Sequence, residues 1–168
     1  MFKYIFSIVI SILIIGCSYI PSVQKRQQEL YQLLISLDYH ISKNEAKRLS
    51  KDIIHFSKQL KESYQPIIEP HFNNFLVNIG LKSHGLCYEW SDSLYIYLLK
   101  QNYDGFEFHL VVSNRGKYWS EHNALVIMPK GTTLPQGIVI DLWRDIDDIF
   151  FTKILYDKLY HWQIREGY

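Results

Sequence analysis

The apolar residues change rhythm near Asn102, and that change restricts the fold. Before it they recur at helical spacing. Leu30, Leu33, Leu34 and Leu37 do so within 24–37. Ser42-Lys43-Asn44-Glu45 is a capping-box pattern, in which the Ser oxygen accepts from the Glu45 amide and the Glu reaches back. The helix it opens is predicted to run to about Tyr64. Its buried stripe is Ala46, Leu49, Ile53, Phe56 and Leu60, with Lys, Asp and Glu on the solvated face. Pro66 and Pro70 break the pattern. Pro70–Ile79 then predicts a short helix with proline in its first turn and Gly80 at its end. A further helix is predicted from about Leu86 to Gln101, with Leu86, Trp90, Leu94, Tyr97 and Leu98 on its core side.

After Asn102 the runs are short and β-rich. Phe106–Ser113, Glu121–Met128 and Gly137–Leu142 read as strands, the third apolar on both faces until Asp141 and therefore buried. Phe150–Tyr160 reads as a final helix or a mixed segment. Helices come first and strands second, and the strands are joined by loops rather than helical crossovers. The prediction is an α+β fold, with N-terminal helices and a Cys-bearing helix packed on a small antiparallel β-sheet.

The N-terminus, MFKYIFSIVISILIIGCS, has a positive Lys3, an apolar run from Ile5 to Ile15, and a small residue before Cys17. It resembles a bacterial lipoprotein signal. The resemblance implies removal of residues 1–16 as a signal peptide and lipidation of Cys17. Residues 17–23 would form a tether, and Ser18 after the cysteine would favour the outer membrane, facing the periplasm. The alternative is an uncleaved anchor, although the apolar run is short of the roughly 20 residues a spanning helix needs. Under either reading the body is held at a membrane. The rest, 24–168, is long enough for one domain with one core. It is expected to divide into a helical part, 24–80, and a core, 81–168, that holds the candidate catalytic residues. Net charge is +1, and no basic stripe marks a nucleic-acid partner.

The chain has two cysteines. If Cys17 carries lipid, Cys87 has no partner in a compartment where thiols are normally paired, which points to a reactive thiol or an intermolecular bridge. A buried Cys acting as a small hydrophobe is the alternative. Cys87 lies where a helix begins, and the partial positive charge there favours a thiolate. His122 begins a strand and Asp141 ends the next. A cysteine nucleophile needs a base, and the base needs a group that orients it.

Gly85-Leu86-Cys87 opening a helix, His122 beginning a strand and Asp141 on the following strand resemble the papain-like superfamily. The spacings are most similar to its transglutaminase-like branch. Asp141-Leu142-Trp143 is similar to the pattern in which a tryptophan shields the histidine pair from water. More narrowly, Gly85–Trp90, Glu121–Asn123 and Gly137–Trp143 resemble a bacterial group with the signature GLCxxW…EHN…GIVxDxW. The resemblance covers roughly the C-terminal half. It implies a Cys87-His122-Asp141 triad acting on amide bonds through a thioester, with no cofactor. The glutamine that completes the oxyanion hole in papain-like proteases is missing from NIGLKSHG. The Cys87 amide can serve as one donor and the Asn78 side chain as a second, unless Asn78 is only a helix cap.

Other residues have competing readings. His84 is a second candidate base. Trp90, one turn after Cys87, walls the site or packs the core. Tyr88 and Glu89 line the cleft mouth or face solvent, and Trp119 can contact substrate. Glu121 and Asn123 point away from His122 in an extended strand and so are poor orienting groups. Asp145, Asp147 and Asp148 form a solvated turn rather than a calcium loop. No HExxH or paired-Cys pattern marks a zinc site. The expectation is a lipid-anchored cysteine peptidase, amidase or transamidase, with cell-wall peptides or exported proteins as substrates. The rivals are a non-catalytic envelope module that uses the same fold to bind a partner, and a protein that forms a mixed disulfide through Cys87.

Overall fold

The computed structural model describes residues 22–166 except 68, 118 and 146. The expected signal peptide, Cys17 and most of the expected tether fall outside the described residues. Four α-helices are present among them: α1 (Val23–Ile35), α2 (Lys43–Tyr64), α3 (Pro70–Asn78) and α4 (Cys87–Leu99). None is long and apolar enough to cross a membrane. The strands are β1 (Phe106–Ser113), β2 (His122–Pro129), β3 (Ile138–Asp141), β4 (Phe150–Lys153) and β5 (Gln163–Ile164). They form an antiparallel sheet in the order β4-β3-β2-β1-β5. The architecture is α+β, as the order of periodicities predicts.

The caps explain the helix starts. Ser42 accepts from the Glu45 amide to open α2. Glu45 turns its carboxylate to the amides of Asp104 and Gly105 instead of back to its own helix, which ties α2 to the turn before β1. At α3 the cap is Glu69, which accepts from the amides of His71 and Phe72.

The larger core lies between the helices and one sheet face. Leu30, Leu34, Leu49, Ile53, Leu94 and Leu98 meet Leu125, Ile127, Ile138 and Ile140 there. The opposite sheet face carries a smaller core of Val111, Ala124, Val126, Met128, Val139 and Trp162. β2 is therefore buried on both sides over its whole length. By strand alternation Asn123 faces the helices, while His122 and Asp141 belong to the opposite face.

Of the two readings of Phe150–Tyr160, the structure shows the mixed segment and not a final helix. Phe150 to Lys153 pair with β3, and Ile154–Tyr156 form a single 3-10 turn. The aromatic and β-branched residues Phe150, Phe151 and Thr152 suit a pleated edge better than a helix. From Asp157 the chain crosses back over the smaller core to reach β5.

The start of α4 depends on Gly85. Its φ of +122° is strained for any other residue, and a Cβ there would be built into the Asn73 side-chain amide. That buried amide donates to Gly85 O at 3.1 Å, and Trp90 Nε1 donates to the same oxygen at 3.3 Å. Gly85→Ala is expected to cost about 2 kcal/mol of stability. Urea unfolding checks this, and an unchanged midpoint would show that the loop relaxes freely.

Candidate active site

His122 Nε2 lies 2.6 Å from Asp141 Oδ2, with both side chains buried. Asp141 has every acceptor position used. Its Oδ1 takes the amides of Trp143 at 3.1 Å and Arg144 at 3.0 Å, and its Oδ2 also takes Arg144 Nε at 2.9 Å. Burial raises the Asp141 pKa, but the His122 hydrogen bond, the charges of His122 and Arg144 and the Arg144 amide outweigh it and hold the carboxyl below the usual range. An ionised carboxylate can only accept, so His122 Nε2 carries a hydrogen. That leaves Nδ1 as the nitrogen free to exchange a proton. Nδ1 is buried and has no hydrogen-bond partner among the described residues.

Cys87 supplies the group opposite. It is the first residue of α4 and lines one cleft with His122. Burial disfavours the charged imidazole. The Asp141 and Cys87 side chains outweigh that by hydrogen bonding and by charge, and His122 is pushed up to about 9. The thiol shares the cleft with the ring, although no well-aligned bond to Nδ1 has formed. Such bonds often tighten only when substrate is present.

Three aromatic rings enclose the imidazole. Trp143, Tyr160 and Trp162 have centroids 4.8, 4.6 and 5.6 Å from it. Trp143 is fixed by its Nε1, which donates to Asn74 Oδ1 at 3.0 Å. Arg144 spans from Asp141 to Asp157, donating through Nη1 and Nη2 at 3.2 and 2.8 Å, and lies over the rings of Phe150 and Tyr160. Asp157 in turn accepts from Trp162 Nε1 at 2.9 Å. The segment from Asp157 to Trp162 is a strap closing the site from the sheet's outer side.

The cleft has a volume of about 510 Å³. Asn78 and Trp143 line it together with Cys87 and His122, as do Tyr88, Trp119 and Glu121. Trp119 is 81% exposed at its rim. Trp90 does not line it, which corrects one sequence reading. Its indole is committed to Gly85 O and packs edge-on against Tyr64 in the core, at 4.8 Å. Nor does Glu89 line it: its carboxylate turns back to the amides of Gly85 and Leu86 at 2.6 and 2.8 Å. His84 is 58% exposed on its side chain and interacts with Glu89, so the structure does not bring it to the cleft. The acidic turn is not simply solvated. Asp148 pairs with Arg26 and Asp147 with Lys61.

Sequence reasoning missed Asn74, Asn123, Arg144, Asp157, Tyr160 and Trp162. Arg144 had a local signal, since it directly follows the Asp-x-Trp pattern. Asn123 directly follows His122 and is read from the sequence only as a poor orienting group; the others are joined to the site only by the tertiary fold. Comparison with known proteins returns no matching family model, no matching curated protein and no matching solved structure.

The pair makes stability depend on pH. His122 is raised from 6.5 to about 9, so its contribution is complete below 6.5 and is lost as pH rises through 9. Asp141 is lowered from 3.8, so its contribution is present above that value and is lost as pH falls through the depressed one. Urea titrations should show the advantage over His122→Gln greatest between these windows and shrinking toward alkaline pH. Parallel curves for the two proteins would contradict the ion pair.

Proposed function

We propose that the protein is a thiol-dependent acyl transferase or hydrolase acting on amide bonds, with Cys87, His122 and Asp141 as its triad. The observation that carries this is the buried imidazole, held through Nε2 by Asp141 at 2.6 Å, with Nδ1 unpartnered among the described residues and Cys87 in the same cleft. A core histidine with a purely structural role would be expected to satisfy both nitrogens.

In this reading His122 and Cys87 rest as imidazolium and thiolate. The thiolate attacks the amide carbonyl carbon. As the C–N bond breaks, Nδ1 gives its proton to the leaving nitrogen, and a thioester remains. The neutral Nδ1 then takes a proton from water or an amine as that group attacks the thioester. The C–S bond breaks, and the thiolate–imidazolium pair returns. Water makes the protein a peptidase or amidase, and an amine makes it a transamidase. Asp141 stays ionised throughout and stabilises the cation.

The Cys87 amide and the Asn78 side chain are the proposed oxyanion donors, each worth about 3 kcal/mol if aligned in the transition state. Asn78 supports this by lining the same cleft. The papain-like, transglutaminase-like resemblance agrees with a Cys helix packed on a sheet that carries His122 and Asp141. With Cys17 lipidated, the site would work at the bacterial envelope, on cell-wall peptides or exported proteins.

A second reading has its own support. Cys87 is only 8% exposed, and exposed rings of Phe75, Tyr88 and Trp119 rim the cleft. These features suit a non-catalytic module that binds a partner there.

Iodoacetamide labelling separates the two readings, followed on the Cys87 peptide by mass spectrometry so that Cys17 does not interfere. At neutral pH the native protein is expected to react at least about tenfold faster than His122→Ala, with Asp141→Asn in between. A Cys87 that resists labelling until unfolding, or whose rate ignores His122, would favour the binding module.

A further inference from the structure

We infer that Asn123 is a catalytic residue in its own right, donating from its side-chain amide to the Cys87 sulfur, and that Arg165 is the positioning residue that aims it. This inference rests on the thiolate reading of Cys87 given above.

Asn123 faces the helices, opposite to His122, and that is the side from which Cys87 approaches. Its Nδ2 lies 3.8 Å from Cys87 Sγ in a buried contact. Sulfur's size makes such contacts longer than those to oxygen. An asparagine amide could present either its oxygen or its nitrogen to the thiol. Arg165 decides which. Arg165 Nη1 donates to Asn123 Oδ1 at 2.9 Å, and a guanidinium has no acceptor to offer an amide N–H. The amide oxygen therefore points to Arg165 and the N–H group to sulfur. Arg165 is anchored from the other side by Asp92 of α4, five residues after Cys87. Its backbone is fixed too, since Arg165 N donates to Leu110 O at 2.8 Å, extending the pairing of β5 with β1.

The chemical consequence is specific. A thiolate accepts hydrogen bonds better than a thiol, and a hydrogen bond to the charged form favours that form. The donor on Asn123 and the cation on His122, neighbours at the start of β2, thus act on the same sulfur in one cleft. After acylation the thioester sulfur carries less charge, and the Asn123 bond weakens with it. Its effect is concentrated on the nucleophile before attack and on the leaving thiolate in the second step.

Asn123→Asp tests this with little disturbance to folding, because the carboxylate keeps the acceptor for Arg165 while replacing the donor to sulfur with a negative oxygen. Asn123→Leu removes the donor without adding charge, and thermal melts report whether each variant is folded. Labelling of Cys87 in the full chain by iodoacetamide at about pH 7 is expected to slow at least about tenfold in both variants. It should recover to within about twofold of the native rate at about pH 10, where the thiol ionises without help. A loss that persists at the higher pH would mean the thiol is merely occluded, and a native rate at neutral pH would mean the donor does nothing. Either result overturns the inference. Arg165→Met should show the same pH-dependent loss, and a native rate would remove Arg165 from its positioning role. His122→Ala, run beside them, separates the levels. If it is slow while the Asn123 variants are fast, only this inference fails. If it is also fast, the thiolate reading itself fails.

Discussion

A carboxylate with almost no contact with water cannot stay charged without partners, and Asp141 is in that position. Four hydrogen bonds and two cationic groups keep it ionised. Much of the C-terminal half is arranged around that requirement. β3 ends at Asp141, and the chain turns at once so that the amides of Trp143 and Arg144 fold back onto its Oδ1. The Arg144 side chain returns to Oδ2, and its remaining nitrogens require Asp157. Asp157 draws in Trp162, and the strap between them lays Tyr160 and Trp162 against His122. Losing one partner of such a network leaves an uncompensated buried charge, which costs several kcal/mol. The same network that stabilises this corner fixes which imidazole nitrogen can exchange a proton.

The two faces of the sheet have distinct tasks. The helical side supplies the larger core and delivers Cys87 on the first turn of α4, where the helix dipole favours an anion. The outer side holds the His122–Asp141 pair beneath a layer of aromatic rings. The start of β2 serves both: His122 and Asn123 alternate in facing, outward and inward, and both line the cleft that holds Cys87. The C-terminal segment closes both, through Asp157 on the outer side and Arg165 on the inner. Residues 157–165 therefore belong to the site although all of them lie far from Cys87 in sequence.

Much of this was legible in the sequence, where the signals are local. Ser42 with Glu45, and Pro70 with Gly80, marked helix boundaries through backbone chemistry that acts within a few residues. The strand Phe106–Ser113 was read to its observed ends because its run is long and bounded by turn residues. Cys87, His122 and Asp141 stood out by residue type at element boundaries. The course of the strap was not legible because Asp157, Tyr160 and Trp162 are placed by a distant guanidinium and a core, neither of which leaves a periodic trace. β5 is two residues long and too short for alternation to show. Trp90 shared a helical turn with Cys87, but its indole is held in the core by the carbonyl of Gly85. Asn123 was set aside correctly as an orienting group for His122; only the tertiary fold reveals that its face is the one Cys87 meets.

The central claim is that His122 and Cys87 share a proton as a charged pair, and NMR titration of the His122 ring nitrogens tests it most directly. In the native protein the imidazole should remain protonated well above its ordinary 6.5 and titrate at about 9. In Cys87→Ala it should titrate lower, because one of its two stabilising partners is gone, while the Nε2 proton stays bound to Asp141. An imidazole that titrates near its ordinary value, or whose titration is the same with and without Cys87, would contradict the account.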